Sequence, residues 1–134
     1  MPNTIMLKVT LKTTNGVTNL DVDQANNANH VPQNSQEQTI QWQLEGNAAS
    51  GSFLPLDGTP PGIAWCSPAP SSTIFGSFSR SPNGNTLTVP DLNNSSSTQG
   101  TWKYQLYATV NGTTYSTTAT TPMATTNDPT IKNN

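Results

Sequence analysis

The stretch Trp102-Lys103-Tyr104-Gln105-Leu106-Tyr107-Ala108-Thr109-Val110-Asn111-Gly112-Thr113-Thr114-Tyr115 decides the fold. Trp102, Tyr104, Leu106, Ala108 and Val110 occupy alternate positions, with Lys103, Gln105, Tyr107 and Thr109 between them. A period of two puts the first set on one face of a strand and the second set on the other. Asn111-Gly112 follows at once. An Asn-Gly pair between alternating runs signals a two-residue hairpin, because both central residues must tolerate positive φ. Residues 113–119 then run back as the partner strand, carrying Tyr115.

The same alternation recurs outward from this hairpin. Ile5, Leu7, Val9 and Leu11 share one face of an opening strand, and Asn15-Gly16 marks the turn after it. Residues 17–22 form a short second strand. Ile40, Trp42 and Leu44 alternate with Gln41, Gln43 and Glu45 in the clearest inward-facing strand of the first half. Residues 53–56 and 63–66 are shorter apolar runs. Asp57-Gly58-Thr59-Pro60-Pro61-Gly62 separates them as a turn. Residues 73–79, with Ile74, Phe75 and Phe78, are expected as a strand. Pro82-Asn83-Gly84-Asn85 turns the chain into residues 86–92, with Leu87 and Val89 inward. Residues 23–38 and 93–99 are almost wholly polar and are expected as surface loops. Residues 129–132 are expected to pair at a sheet edge.

No window carries a useful 3.6-residue period, and 11 prolines and 9 glycines punctuate the chain. Many short strands separated by turns predict an all-β fold rather than alternating strands and helices. The expected architecture is an immunoglobulin-like antiparallel β-sandwich of about seven to nine strands, with a jelly roll or small barrel as alternatives. An early-strand tryptophan and a Trp-x-Tyr-x-Leu strand before a late hairpin suit that packing. One domain over residues 1–134 matches the length.

Composition bounds the function. Hydrophobic residues make up 31% of the chain and charged residues 9%, so the low hydrophobicity does not come with the high charge of a disordered chain. Thr, Ser and Asn fill the difference. Five Lys and Arg stand against seven Asp and Glu, a net charge of -2. No basic stripe is present to neutralise phosphates or an anionic membrane, so neither nucleic acid nor membrane is an expected partner. Met1-Pro2-Asn3-Thr4 does not open a signal peptide, and no stretch approaches the roughly 20 apolar residues of a membrane helix. As written the chain is expected in the cytoplasm, with export by a trimmed leader left open.

The pattern Trp102-Lys103-Tyr104-Gln105-Leu106-Tyr107, the Asn111-Gly112 hairpin and the closing Asn127-Asp128-Pro129-Thr130-Ile131 resemble the small bacterial proteins grouped as the DP-EP family. The segments 40–44 and 62–65 also fit. The resemblance implies an immunoglobulin-like sandwich without an established activity, and it supplies no catalytic residues.

Asp21 and Asp23 lie on one side of a strand end, and calcium would need a third acid such as Asp57, Asp91 or Asp128. No loop shows the acidic spacing of a dedicated site, so these are expected to be solvated turn aspartates. His30, the single histidine, sits in a polar stretch and is expected as a loop residue in water. Cys66, the single cysteine, allows no internal disulfide and is expected to be buried and inert. Glu37 and Glu45 are the only glutamates available to glycosidase chemistry. No nucleophile–base pair or metal set emerges, so the chain is expected to be neither an enzyme nor a cofactor or metal protein. Asn93, Asn94 and Asn111 open glycan-acceptor triplets, a frequent chance pattern in so Asn-, Ser- and Thr-rich a chain, and are not read as glycosylated; Asn111 is needed for the hairpin turn.

Tyr107 lies on the face opposite Trp102, Tyr104 and Leu106. It and Tyr115 are the candidate ligand-binding residues, since exposed aromatics beside amides can stack on sugars or anchor a protein. The expected function is therefore a non-catalytic binding or assembly module, meeting a protein partner or a second copy through an edge strand. The alternative is a carbohydrate-binding module built on those tyrosines.

Overall fold

The computed structural model describes residues 3–117 and 129–134. It is an all-β sandwich. Its strands are β1 (Thr4–Thr14), β2 (Val17–Val22), β3 (His30–Val31), β4 (Gln38–Leu44), β5 (Ser52–Phe53), β6 (Ile63–Trp65), β7 (Ser79–Arg80), β8 (Thr86–Asp91), β9 (Gly100–Val110), β10 (Thr113–Ser116) and β11 (Thr130–Asn133). Short 3-10 turns at Ala25–Asn27, Gly46–Ala48 and Ser96–Thr98 are its helical pieces among the described residues. Of the described residues, no helix is long and apolar enough to cross a membrane.

The first sheet has the order β2-β1-β4-β8-β7. The second has the order β10-β9-β11-β3, and β5 and β6 also pair with β9. β9 organises this second sheet because its 11 residues serve two neighbours on each edge. One edge meets β10 and β11; the other meets β5 and β6.

Both Asn-Gly hairpins form as their sequence predicts. Asn15 and Gly16 have φ of 52° and 77°, and Asn111 and Gly112 have φ of 52° and 80°. This left-handed pair matches the right-handed twist of the flanking strands. The alternation also holds in space. Leu7 and Val9 of β1, Ile40, Trp42 and Leu44 of β4, Leu87 and Val89 of β8, and Tyr104, Leu106, Ala108 and Val110 of β9 are buried in one core. Trp42 and Tyr104 meet at its centre from opposite sheets. Their rings pack edge-on at 5.2 Å, and Trp42 Nε1–H donates to the Tyr104 hydroxyl at 2.8 Å.

Four expectations change. First, the sheets are mixed, not purely antiparallel. β1 pairs parallel with β4, and β11 pairs parallel with β3. Second, residues 73–78 form no regular strand; they join β8 through the isolated bridge Phe75–Asp91 and its flanking backbone bonds before β7 begins. Pro90 is the cause. Gly76 N–H donates to Pro90 O at 3.1 Å, so that edge of Pro90 faces this segment. A strand residue's N and C=O share an edge, so the donor proline lacks is missing from the same ladder.

Third, residues 23–38 are not a mere surface loop. They contain β3, whose Val31 is fully buried. Fourth, the final strand is not at an edge. β11 lies between β9 and β3, with Ile131 fully buried. Both corrections have one origin, since each of these segments supplies the hydrogen-bonding edge that the other needs. Ala119, Asn127 and Asp128 lie outside the described residues.

Candidate functional site

Tyr107 stands half-buried on the outer face of β9, as alternation requires. Its hydroxyl reaches Gln105 Oε1 at 3.4 Å. Tyr115 is placed differently. The register sets it opposite Ala108, a core residue, and its ring packs against the core. Directly paired residues share a face, so Tyr107 and Tyr115 project to opposite sides of the sheet. They form no common platform.

The other aromatics also use one another. Trp65 lies 4.7 Å from Phe75 and 5.6 Å from Phe78, and Phe75 lies 5.2 Å from Trp102. The planes meet at 52°, 37° and 82°. Steep packing of this kind fills the open margin of the sandwich and presents no flat row of ring faces to a sugar.

The polar candidates are dispersed. His30 belongs to β3 rather than to a loop, and it is half-buried opposite Lys132 of β11. Among the described residues, no hydrogen bond joins its ring to a serine or aspartate. Cys66 is half-buried rather than buried, because it lies just past β6, with its N–H donating to Lys103 O at 2.9 Å. Glu37 and Glu45 flank the two ends of β4. Eight extended residue steps separate them by about 26 Å, far beyond the roughly 5–9.5 Å of a glycosidase acid pair.

Asp21, Asp23 and Asp57 are exposed, and Asp23 Oδ1 accepts from Ala25 N–H at 3.0 Å. Among the described residues no group of three or more His, Cys, Asp or Glu is placed to hold a metal. Asp128 lies outside the described residues.

Asp91 departs from the expected solvated turn aspartate. It is fully buried, facing the core in line with Leu87 and Val89. Around it lies a polar cluster that composition conceals. Asn93, also fully buried, donates to Val31 O at 3.0 Å and to Asn134 O at 3.1 Å, and accepts from Thr98 Oγ1 at 2.8 Å. Such an amide is closed to a glycan. Gln38 Nε2 donates to Pro32 O at 2.8 Å. Asn133 Nδ2 donates to Asp91 Oδ1 at 3.0 Å and to Thr98 O at 2.9 Å. Burial pushes the Asp91 carboxyl up from the ordinary 3.8 to about 6, and the Asn133 bond offsets part of that rise. The sequence signal was present but weak: Gln38 and Asp91 continue the period-two core faces of their strands.

The remaining candidate surface is an edge. β2 closes the first sheet and, among the described residues, pairs only with β1. Asp23 N–H donates to Lys8 O at 2.9 Å, which sets the alternation of the ladder. Asp21, Asn19 and Val17 therefore turn their backbone groups toward β1, and Val22, Leu20 and Thr18 turn theirs outward. Among the described residues those outward groups have no backbone partner. β10 passes beside β2, and among the described residues no strand ladder joins the two. The other terminal strands, β3, β7 and β10, have two, two and four residues, so β2 is the longest open edge of the described residues. It carries one charge, Asp21, and no proline.

A scan against protein-family models finds no match for this chain, and a search of the curated proteins finds none either.

Proposed function

We propose that this chain is a non-catalytic binding or assembly module with an immunoglobulin-like sandwich, akin to the DP-EP proteins, and that it pairs with a second copy through β2. The observation that supports this reading is the six-residue open edge at Val17–Val22. Unpaired strand N–H and C=O groups are a template for another strand, and natural edges are usually shielded by lysine, proline, a bulge or shortness. Among the described residues β2 has none of these shields. The catalytic reading receives no comparable support, since among the described residues no nucleophile, base or acid pair converges. The carbohydrate reading loses its platform with Tyr107 and Tyr115 on opposite faces.

Sedimentation velocity over a rising concentration series tests the proposal. A concentration-dependent dimer is expected. Its midpoint should move little with ionic strength, because backbone hydrogen bonds rather than ion pairs hold the joint. Thr18→Lys places a charge on the open edge at small cost to the fold and should weaken the dimer at least about tenfold. A chain that stays monomeric throughout, or a dimer indifferent to Thr18→Lys, overturns pairing through β2.

A further inference from the structure

Asp91 and Asn133 join the two sheets deep in the core. Asp91 ends β8 of the first sheet and is 0% exposed; Asn133 lies in β11 of the second and is 2% exposed. The hydrogen-bond inventory of the pair does not close as an ionised acid. Both Asn133 amide hydrogens are used, one on Asp91 Oδ1 and one on Thr98 O. The Thr98 carbonyl needs a donor, so the Asn133 amide cannot be turned over. Its Oδ1 is left without a partner, and so is Asp91 Oδ2. Two buried oxygens, both acceptors when Asp91 is charged, are left without a partner in one hydrogen-bonded pair of planar groups. Each orphan carries a desolvation cost, and a buried unpaired charge carries more.

One hydrogen satisfies both atoms. A carboxyl protonated at Oδ2 donates to Asn133 Oδ1 while Asn133 Nδ2 donates back to Oδ1, closing an acid–amide ring. Two open oxygens are too few to enclose a calcium ion, which takes six to eight.

We propose that Asp91 is held protonated against Asn133, and that this closed pair is a proton-operated latch on β11. The latch matters because β11 is otherwise tied mainly within its own sheet, through β9, β3 and the Asn29 and Gln24 side chains. Asn133 is its polar anchor to the first sheet. When the proton leaves, the pair becomes a buried carboxylate facing a carbonyl, and β11 loosens together with β3.

Among the described residues no cation stands ready to compensate. β4, packed beside Asp91 through Gln38, carries no titratable side chain. On β11, Lys132 alternates outward and is exposed, and His30 of β3 lies opposite it. On β9, Lys103 is exposed, Tyr107 faces outward, and the core-facing Tyr104 is kept neutral by burial. Glu37 is exposed before β4.

The sign follows from the raised pKa of the Asp91 carboxyl in the folded chain, about 6 against 3.8. Between those values the folded state holds the proton and the unfolded chain has lost it, so stability falls as pH rises through this window. Below it the latch is complete; above about 6 it is lost.

Carboxyl-carbon NMR titration of Asp91, with hydrogen exchange of the β11 and β3 amides corrected for intrinsic rates, tests the latch. Asp91 should titrate well above an ordinary aspartate. Protection of β11 should fall at least about tenfold between about pH 4.5 and 7.5. Asp91→Asn supplies the missing hydrogen permanently through its own amide. It should raise β11 protection at neutral pH and abolish the pH dependence. An Asp91 that titrates in the ordinary range overturns the proposal. So does a high titration midpoint with β11 protection unchanged, or an Asp91→Asn chain less protected than the parent at neutral pH. If Asp91→Asn fails to fold, titration and exchange of the parent chain still decide between these outcomes.

Discussion

The Trp42–Tyr104 contact shows how much one hydroxyl can matter in a core assembled from alternate residues. The indole N–H is buried and its acceptor is the Tyr104 oxygen. Burial also holds the Tyr104 hydroxyl far above its usual ionisation, so it stays neutral at physiological pH. Tyr104→Phe keeps the ring and removes only that acceptor, leaving a buried donor unmatched. The expected loss is about 1–3 kcal/mol, read from the urea midpoint at constant m-value. A loss below about 0.5 kcal/mol would mean the indole finds another acceptor. Both partners were legible as inward residues in the sequence. Their bond was not, because 62 positions separate them and alternation specifies a face rather than a neighbour.

At the scale of elements, local chemistry settled the hairpins and long-range pairing settled everything else. Gly16 and Gly112 have positive φ, and a Cβ built at either position meets nothing within 4 Å. Replacing either with alanine therefore measures backbone strain without a steric term. Each of Gly16→Ala and Gly112→Ala should cost about 1–2 kcal/mol in thermal or chemical unfolding, and the two values should agree closely. A value several-fold larger at one site would reveal an additional role for that turn. The segment 73–79 illustrates the opposite case. Its apolar residues read as a strand, and Ile74 and Phe75 are indeed buried. What they lack is a complementary ladder, because Pro90 removes a donor from the neighbouring strand. β-propensity records fit to a half-buried surface, and it cannot see the partner that must supply the hydrogen bonds.

The whole molecule is one core with its tryptophans wired together. Trp42 contacts Phe78, Phe78 contacts Trp65, Trp65 contacts Phe75, and Phe75 contacts Trp102. Tryptophan fluorescence should therefore report a single transition, coincident with far-ultraviolet circular dichroism in urea. Separate midpoints would show that the margin around Trp65 and Trp102 melts independently of the centre. The candidate site was only half legible at this scale. The uncharged strand at Val17–Val22 could be read from the sequence, but its position at an edge depends on which strands pair. The buried polar cluster was hidden because Asn, Thr and Asp in polar stretches look the same whether they face water or each other. The sequence by itself determined the all-β class, the two Asn-Gly hairpins and the inward faces of β1, β4, β8 and β9, since period two and positive φ are properties of neighbouring residues. Only the tertiary structure decided the parallel pairing of β1 with β4 and of β3 with β11, the interior place of the last strand, and the burial of Asp91. Each of those depends on contacts between residues tens of positions apart, where hydrogen-bond satisfaction across the sheets, and no local preference, selects the partner.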